Sequence, residues 1–155
     1  IQGRILSFFD RETGTPNFQS DKAIDSITSG GFFGKGIGEG TLKNRVPEAH
    51  TDYIISVISE EFGVVAIMLI LLLFLIFIYM VFKKISFETD DKTKLILIGS
   101  ISLILMQATI HVGVNIRLFP TTGMTLPFLS YGGSSIISTS ILAGIILNLT
   151  KRKIN

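Results

Sequence analysis

The chain has 155 residues, of which 47% are apolar and only 17% charged, with 12 Phe, no Trp and no Cys. That is too apolar for an ordinary water-soluble domain. A net charge of +2, with no long basic block, argues against a nucleic-acid partner, and the absence of Cys excludes disulfides, thiolate metal sites and a Cys nucleophile.

Residues 1–52 carry six basic and seven acidic residues and read as one loop. Ile5, Leu6, Phe8 and Phe9, and further on Phe18, Ile24, Ile27, Phe32 and Phe33, punctuate it with apolar anchors, so it is expected to lie on a membrane surface. Phe18–Ser29 has the pattern of a short amphipathic helix, with Ala23, Ile24 and Ile27 on one side and Asp21, Lys22 and Asp25 largely on the other. Six glycines follow within residues 30–40, around Lys35. One reading has their backbone N–H groups approaching a phosphate, with Lys35 or Lys43 nearby. The other is a loop that needs positive φ in a tight space, and the strand and Lys-Ser/Thr of a P-loop are missing.

Pro47-Glu48-Ala49-His50-Thr51-Asp52 then leads into an apolar run. Thr51 or Asp52 can cap the helix that starts there. Phe62–Phe82 is 21 residues without a charge, enough at about 1.5 Å per residue to cross roughly 30 Å of hydrocarbon. On a continuous helix Asp52, Ser56 and Glu60 fall at i, i+4 and i+8, with Glu60 roughly 12 Å deeper than Asp52. Acids that enter a membrane need a partner or a water-filled cavity. That offset exceeds the roughly 5–9.5 Å between paired carboxyls of glycosidases, so Asp52 is expected to act alone.

The second span carries Gln107, His111 and Asn115 on one face, either bonding to neighbouring helices or lining a substrate path. The connection 119–130, with Pro120 and Pro127, enters Ser130-Tyr131-Gly132-Gly133-Ser134-Ser135. It is either a tight helix interface or a re-entrant loop that touches substrate. The expected architecture is an all-α polytopic membrane protein: an extracytoplasmic loop 1–52 and spans at about 53–82, 95–117 and 131–149. Lys83, Lys84, Lys92, Lys94, Lys151, Arg152 and Lys153 place the 83–94 segment and the C-terminus in the cytoplasm. An odd span count with an outside N-terminus, in a chain starting at Ile1, is expected of a segment with further helices upstream.

These residues resemble the SEDS family of bacterial cell-wall proteins (shape, elongation, division and sporulation). Carrying the resemblance are Ser29-Gly30-Gly31 with Gly34, Gly36 and Gly38, then Pro47 to Asp52 and Glu60-Glu61-Phe62-Gly63. Gly113-Val114-Asn115, Pro120 to Gly123, Thr125-Leu126-Pro127 and Ser130 to Ser135 complete it. Ala49 and Thr125-Leu126-Pro127 are closer to the division member than to the elongation member. Lys22, Ala23, Asp25, His111 and Thr122 depart from the usual pattern.

The resemblance implies a fold of about ten helices, this chain matching the last three. It also implies a peptidoglycan glycosyltransferase that polymerises lipid II at the bacterial inner membrane, during division at the septum. A class B penicillin-binding protein and other divisome membrane proteins are the implied partners. The family's loop aspartate aligns with Asp52, expected to be the general base. Lys35, Lys43 or Arg45, or a divalent cation such as magnesium or manganese, is expected to neutralise the diphosphate. Glu48, His50, Glu60, Gln107, Asn115, Ser130, Tyr131 and Ser134 are the further expected substrate contacts, and no metal ligands are assigned. A lipid II flippase and a non-catalytic scaffold stand as alternatives.

Overall fold

The computed structural model describes residues 16–41 and 49–151, with side chains from Asp21 onward in the first helix. Ile5, Leu6, Phe8, Phe9, Lys43, Arg45, Glu48, Arg152 and Lys153 lie outside the described residues. Four helices, and among the described residues no strand, make up the fold: α1 (Pro16–Gly30), α2 (Ile54–Phe87), α3 (Asp91–Asn115) and α4 (Gly133–Thr150). The last three are long and apolar enough to cross a membrane. The protein is all-α and polytopic.

Pro16 opens α1, where a missing N–H costs nothing. Ala23 and Ser26 are buried while Asp21 and Asp25 stay exposed, the amphipathic division expected of a surface helix. Its last residue, Gly30, sits against the Ser59–Glu60 backbone so closely that a Cβ there would overlap the Ser59 carbonyl.

In α2, 34 residues are joined across a break at Gly63 (φ 80, ψ 179). A break at the head of an apolar run strands backbone groups on both sides of it, and such groups must be satisfied inside the protein. The glycine-rich segment does this. Val64 and Val65 donate to the carbonyls of Gly31 (3.0 Å) and Phe32 (3.4 Å), while Lys35 N donates to Glu60 O (2.9 Å) and Gly36 N to Glu61 O (3.1 Å). The approach is backbone on backbone. Cβ atoms at Gly34 and Gly63 would collide with the Glu61 carbonyl and the Phe32 carbonyl, and both glycines have positive φ (78° and 80°). The N–H groups of Lys35 and Gly36 are thus spent on the break, not on a phosphate.

The short link to α3 is held by local charge. Lys84 pairs with Glu88 at 3.1 Å, a hydrogen bond that holds the Glu88 carboxyl below its ordinary pKa, and Asp90 caps α3 by accepting from Thr93 N (3.1 Å) and Oγ1 (2.7 Å). At the other end of α3, Arg117 adopts φ 59° and Leu118 N donates to Gly113 O at 2.7 Å, a Schellman close with arginine where glycine is usual. Arg117 also pairs with Asp21, tying α1 to this terminus.

Two apolar clusters hold the helices together. Ala23, Ala49, Tyr53, Val57 and Val114 join α1, the approach to α2 and α3; Val81, Leu97, Ile101, Ile104 and Ile146 join the far ends of α2, α3 and α4. Between them much of α2 is uncovered, with Met68, Leu69, Leu72 and Leu73 exposed, as suits a helix facing lipid or further helices.

Gly63→Ala should cost about 1–3 kcal/mol by adding a Cβ at positive φ against the Phe32 carbonyl. Gly99→Ala in α3, where nothing lies within 4 Å, should leave stability unchanged or slightly raised. Thermal unfolding of the detergent-solubilised protein, followed by circular dichroism, measures both.

Candidate functional site

The turn before α2 alternates between core and solvent. Ala49 and Tyr53 are buried in the apolar cluster against α1 and α3, His50 is exposed, and Asp52 is half-buried. Thr51 and Asp52 lie in this turn, and the cap residue is Tyr53, with no side-chain cap bond, in place of the expected Thr51 or Asp52. Asp52 therefore precedes the helix and does not continue a stripe along it.

Three consecutive carbonyls of the turn accept hydrogen bonds from C-terminal elements. Tyr131 N donates to His50 O at 3.1 Å. Ser130 Oγ donates to Thr51 O at 2.8 Å, with His111 Nε2 3.3 Å from the same oxygen. Asn115 Nδ2 donates to Asp52 O at 2.9 Å. On its other side Asn115 Oδ1 accepts from Ser56 Oγ (2.8 Å) and Ser56 N (3.3 Å). His111, Asn115, Ser56 and Ser130 are all buried. Ser130 in turn accepts from Leu126 N at 2.8 Å, and Gln107 Nε2 donates to Thr125 O at 2.9 Å, so the 119–130 connection is fixed as well.

The Asp52 carboxylate lies beside that connection. A Cβ on Gly123 (φ 71°) would sit 3.9 Å from Asp52 Oδ2, the closest approach it would make to any side chain outside its immediate neighbours. This neighbour was not singled out in the sequence. The available signal was a glycine after two threonines in a proline-bracketed connection, which favours positive φ but names no partner.

Glu60 occupies a different place. It is 1% exposed, and Lys35 Nζ and Thr41 Oγ1 each lie 3.1 Å from its Oε1. The group borders a polar cleft of about 240 Å³ lined by Lys22, Asp25, Ser26, Ser29, Lys35 and Thr41. Ser56 faces α3 while Glu60 faces the glycine-rich loop, so two residues one helical turn apart serve different neighbours.

Of the expected substrate contacts, the structure brings Asn115 to the Asp52 carbonyl and Ser130 to the adjacent Thr51 carbonyl, and engages Gln107 with Thr125 and Lys35 with Glu60. It leaves the His50, Tyr131 and Ser134 side chains exposed. Lys43, Arg45 and Glu48 fall outside the described residues. Among the described residues no group of three or more His, Cys, Asp or Glu could hold a metal ion, so a magnesium or manganese ion finds no ready-made protein cage there.

Residues 2–155 match the cell cycle protein family FtsW/RodA/SpoVE. The chain belongs to that family. Among curated relatives, a probable peptidoglycan glycosyltransferase FtsW from Trichlorobacter lovleyi is 41% identical over 151 residues, covering 95% of this chain and 39% of that protein. Proteins of the same description from Enterococcus hirae and Caulobacter vibrioides are 38% and 35% identical, covering 88% and 99% of this chain and 35% and 39% of theirs. The chain thus spans well under half the length of these FtsW relatives.

Within this family chain, Lys35→Ala should take one cation from the buried Glu60 carboxylate. The expected loss is about 1–2 kcal/mol, below the roughly 3–5 of a fully buried pair because Lys35 is 37% exposed and screened. Lys35→Met combined with Glu60→Gln should recover most of it, and thermal melts of the three variants make the comparison.

Proposed function

We propose that this chain carries the catalytic base of a peptidoglycan glycosyltransferase that polymerises lipid II into glycan strands during cell division. The activity is the one named for its FtsW relatives, and the substrate is the one the family resemblance implies. One observation carries the assignment: Asp52 is a half-buried carboxylate at the head of a membrane-spanning helix, on a turn whose three carbonyls are held by buried side chains and a backbone amide. General-base catalysis needs that combination of access and fixed direction.

In the proposed reaction Asp52 takes the proton from the 4-hydroxyl of the acceptor sugar as its oxygen attacks the anomeric carbon of the donor. The bond from that carbon to the diphosphate breaks, and the lipid diphosphate leaves with the electron pair. Cations neutralise the leaving group; Lys43 and Arg45 are the side chains assigned, since Lys35 is engaged with Glu60. No step is assigned to a magnesium or manganese ion.

An apolar groove of about 420 Å³ supports a lipid-borne substrate. It runs between α2 and α3 from Ile55, Ile58 and Leu126, close to Asp52 in sequence or space, to Phe74 and Ile78 deep in the span. The basic flanks of the spans support an extracytoplasmic Asp52, and the family resemblance supports the bacterial inner membrane and the septum as its working site. A class B penicillin-binding protein and other divisome membrane proteins are the proposed partners. A lipid II flippase would draw on Gln107, His111 and Glu60 in mid-path. Those groups are instead engaged with Thr125, Thr51, and Lys35 with Thr41, which gives transport no particular support.

Asp52→Asn, introduced into the membrane protein that contains this chain, should lower polymerisation of purified lipid II by at least about 100-fold, the low end of a general base's contribution. Its melting temperature and its capture of the penicillin-binding protein should match the parent. Glycan chains separated on gels give the readout, and undiminished polymer would remove Asp52 from the chemistry.

A further inference from the structure

A carboxylate can only be as well aimed as the peptide that bears it. Asp52 stands outside the helix ladder, in a turn with no side-chain cap, so its direction must come from contacts made elsewhere. The contact on its own carbonyl comes from Asn115, at the last turn of α3 and 63 positions along the chain.

The capacity of that amide is fully used within the protein. Nδ2 donates to Asp52 O (2.9 Å) and to His111 O (2.9 Å), and Oδ1 accepts from Ser56 Oγ (2.8 Å) and Ser56 N (3.3 Å). Two donors and two acceptor sites are all a carboxamide has. With Asn115 fully buried, nothing remains to offer a substrate. The orientation is also determined: the oxygen must face the Ser56 N–H, which turns the NH2 toward the two carbonyls. An aspartate cannot donate to those carbonyls, and a leucine of similar size can do neither job.

We propose that Asn115 is the positioning residue of Asp52: it locks the Asp52 peptide to the first turn of α2 and the last turn of α3, and so sets the direction of the carboxylate. This rests on Asp52 being the base proposed above. Ser130, donating to Thr51 O at 2.8 Å, braces the adjacent peptide from the other side. Misplacement of a reacting group by about 1 Å can cost on the order of 100-fold in rate without weakening substrate binding.

The test is made in the whole membrane protein with purified lipid II. Asn115→Ala should lower kcat by about 10- to 100-fold and leave KM within about twofold. Ser138→Ala, on α4 and bonded only to Ser134 O, should leave both unchanged. A second measurement needs no turnover: with any Cys outside this chain replaced, a nitroxide on Asp52→Cys reports the motion of the turn. Its spectrum should be immobilised with Asn115 in place and mobile beside Asn115→Ala. If Asn115→Ala does not fold, Ser130→Ala takes its place in both measurements, with a smaller loss of kcat expected.

Turnover within twofold of the parent, a loss that appears in KM alone, or a label equally restrained with and without the amide would overturn the proposal. Failure of the underlying reading is distinct. If the parent makes no glycan, or Asp52→Asn keeps full turnover, the catalytic assignment falls, and the label spectrum then decides the clamp by itself.

Discussion

Backbone groups that leave regular structure at the edge of a bilayer cannot rely on water, so the protein must supply their partners. Two places along α2 impose this requirement, and the rest of the outer half is built to meet it. At Gly63 the helix breaks, and the glycine-rich segment answers with four backbone hydrogen bonds. In the turn before Ile54 the ladder has not begun, and Tyr131, Ser130, His111 and Asn115 approach the carbonyls of residues 50–52. The first answer comes from upstream backbone, the second from downstream side chains and the Tyr131 amide. Asp52 and Glu60, eight positions apart, are consequently served by opposite parts of the chain.

Those two solutions explain why the polar residues of the spans are where they are. Gln107, His111 and Asn115 follow the helical repeat, and each reaches a carbonyl belonging to another segment. A buried amide or imidazole is costly unless bonded, and a loose turn is mobile unless bonded. Each requirement meets the other. The price of polar groups in an apolar helix is offset by the order they impose on a turn that has no cap of its own.

Much of this fold was legible in the residues. The uncharged runs 62–82 and 95–116 marked two spans, and the apolar face of residues 18–29 marked the surface helix. The ends moved because lysines do not stop a helix: Lys83 and Lys84 continue α2 to Phe87, Lys83 exposed and Lys84 paired with Glu88. The site was only half legible. Asp52 and the 107/111/115 stripe stood out, but spacing within one helix cannot say which other segment it will meet. The single stripe of Asp52, Ser56 and Glu60 failed for a local reason, since Tyr53 caps the helix and Asp52 falls outside it. The glycines announced a close approach. Nothing nearby announced that its target was the break at Gly63, some thirty residues on, because backbone-to-backbone pairing leaves no side-chain signature.

The pairing of that loop with Glu60 follows from the same contact. Gly34 and Gly63 touch backbone to backbone, and the adjoining Lys35 N–H is bonded to the Glu60 carbonyl, so its side chain is carried to the carboxylate 3.1 Å away. Any side chain at either glycine would push the loop outward and take Lys35 and Thr41 with it. That would loosen two of the contacts on the buried Glu60 carboxylate. The glycines are therefore required less for their own flexibility than for the charge they keep neutralised. An acid can enter the membrane on α2 because the loop that mends the broken helix also delivers its cation.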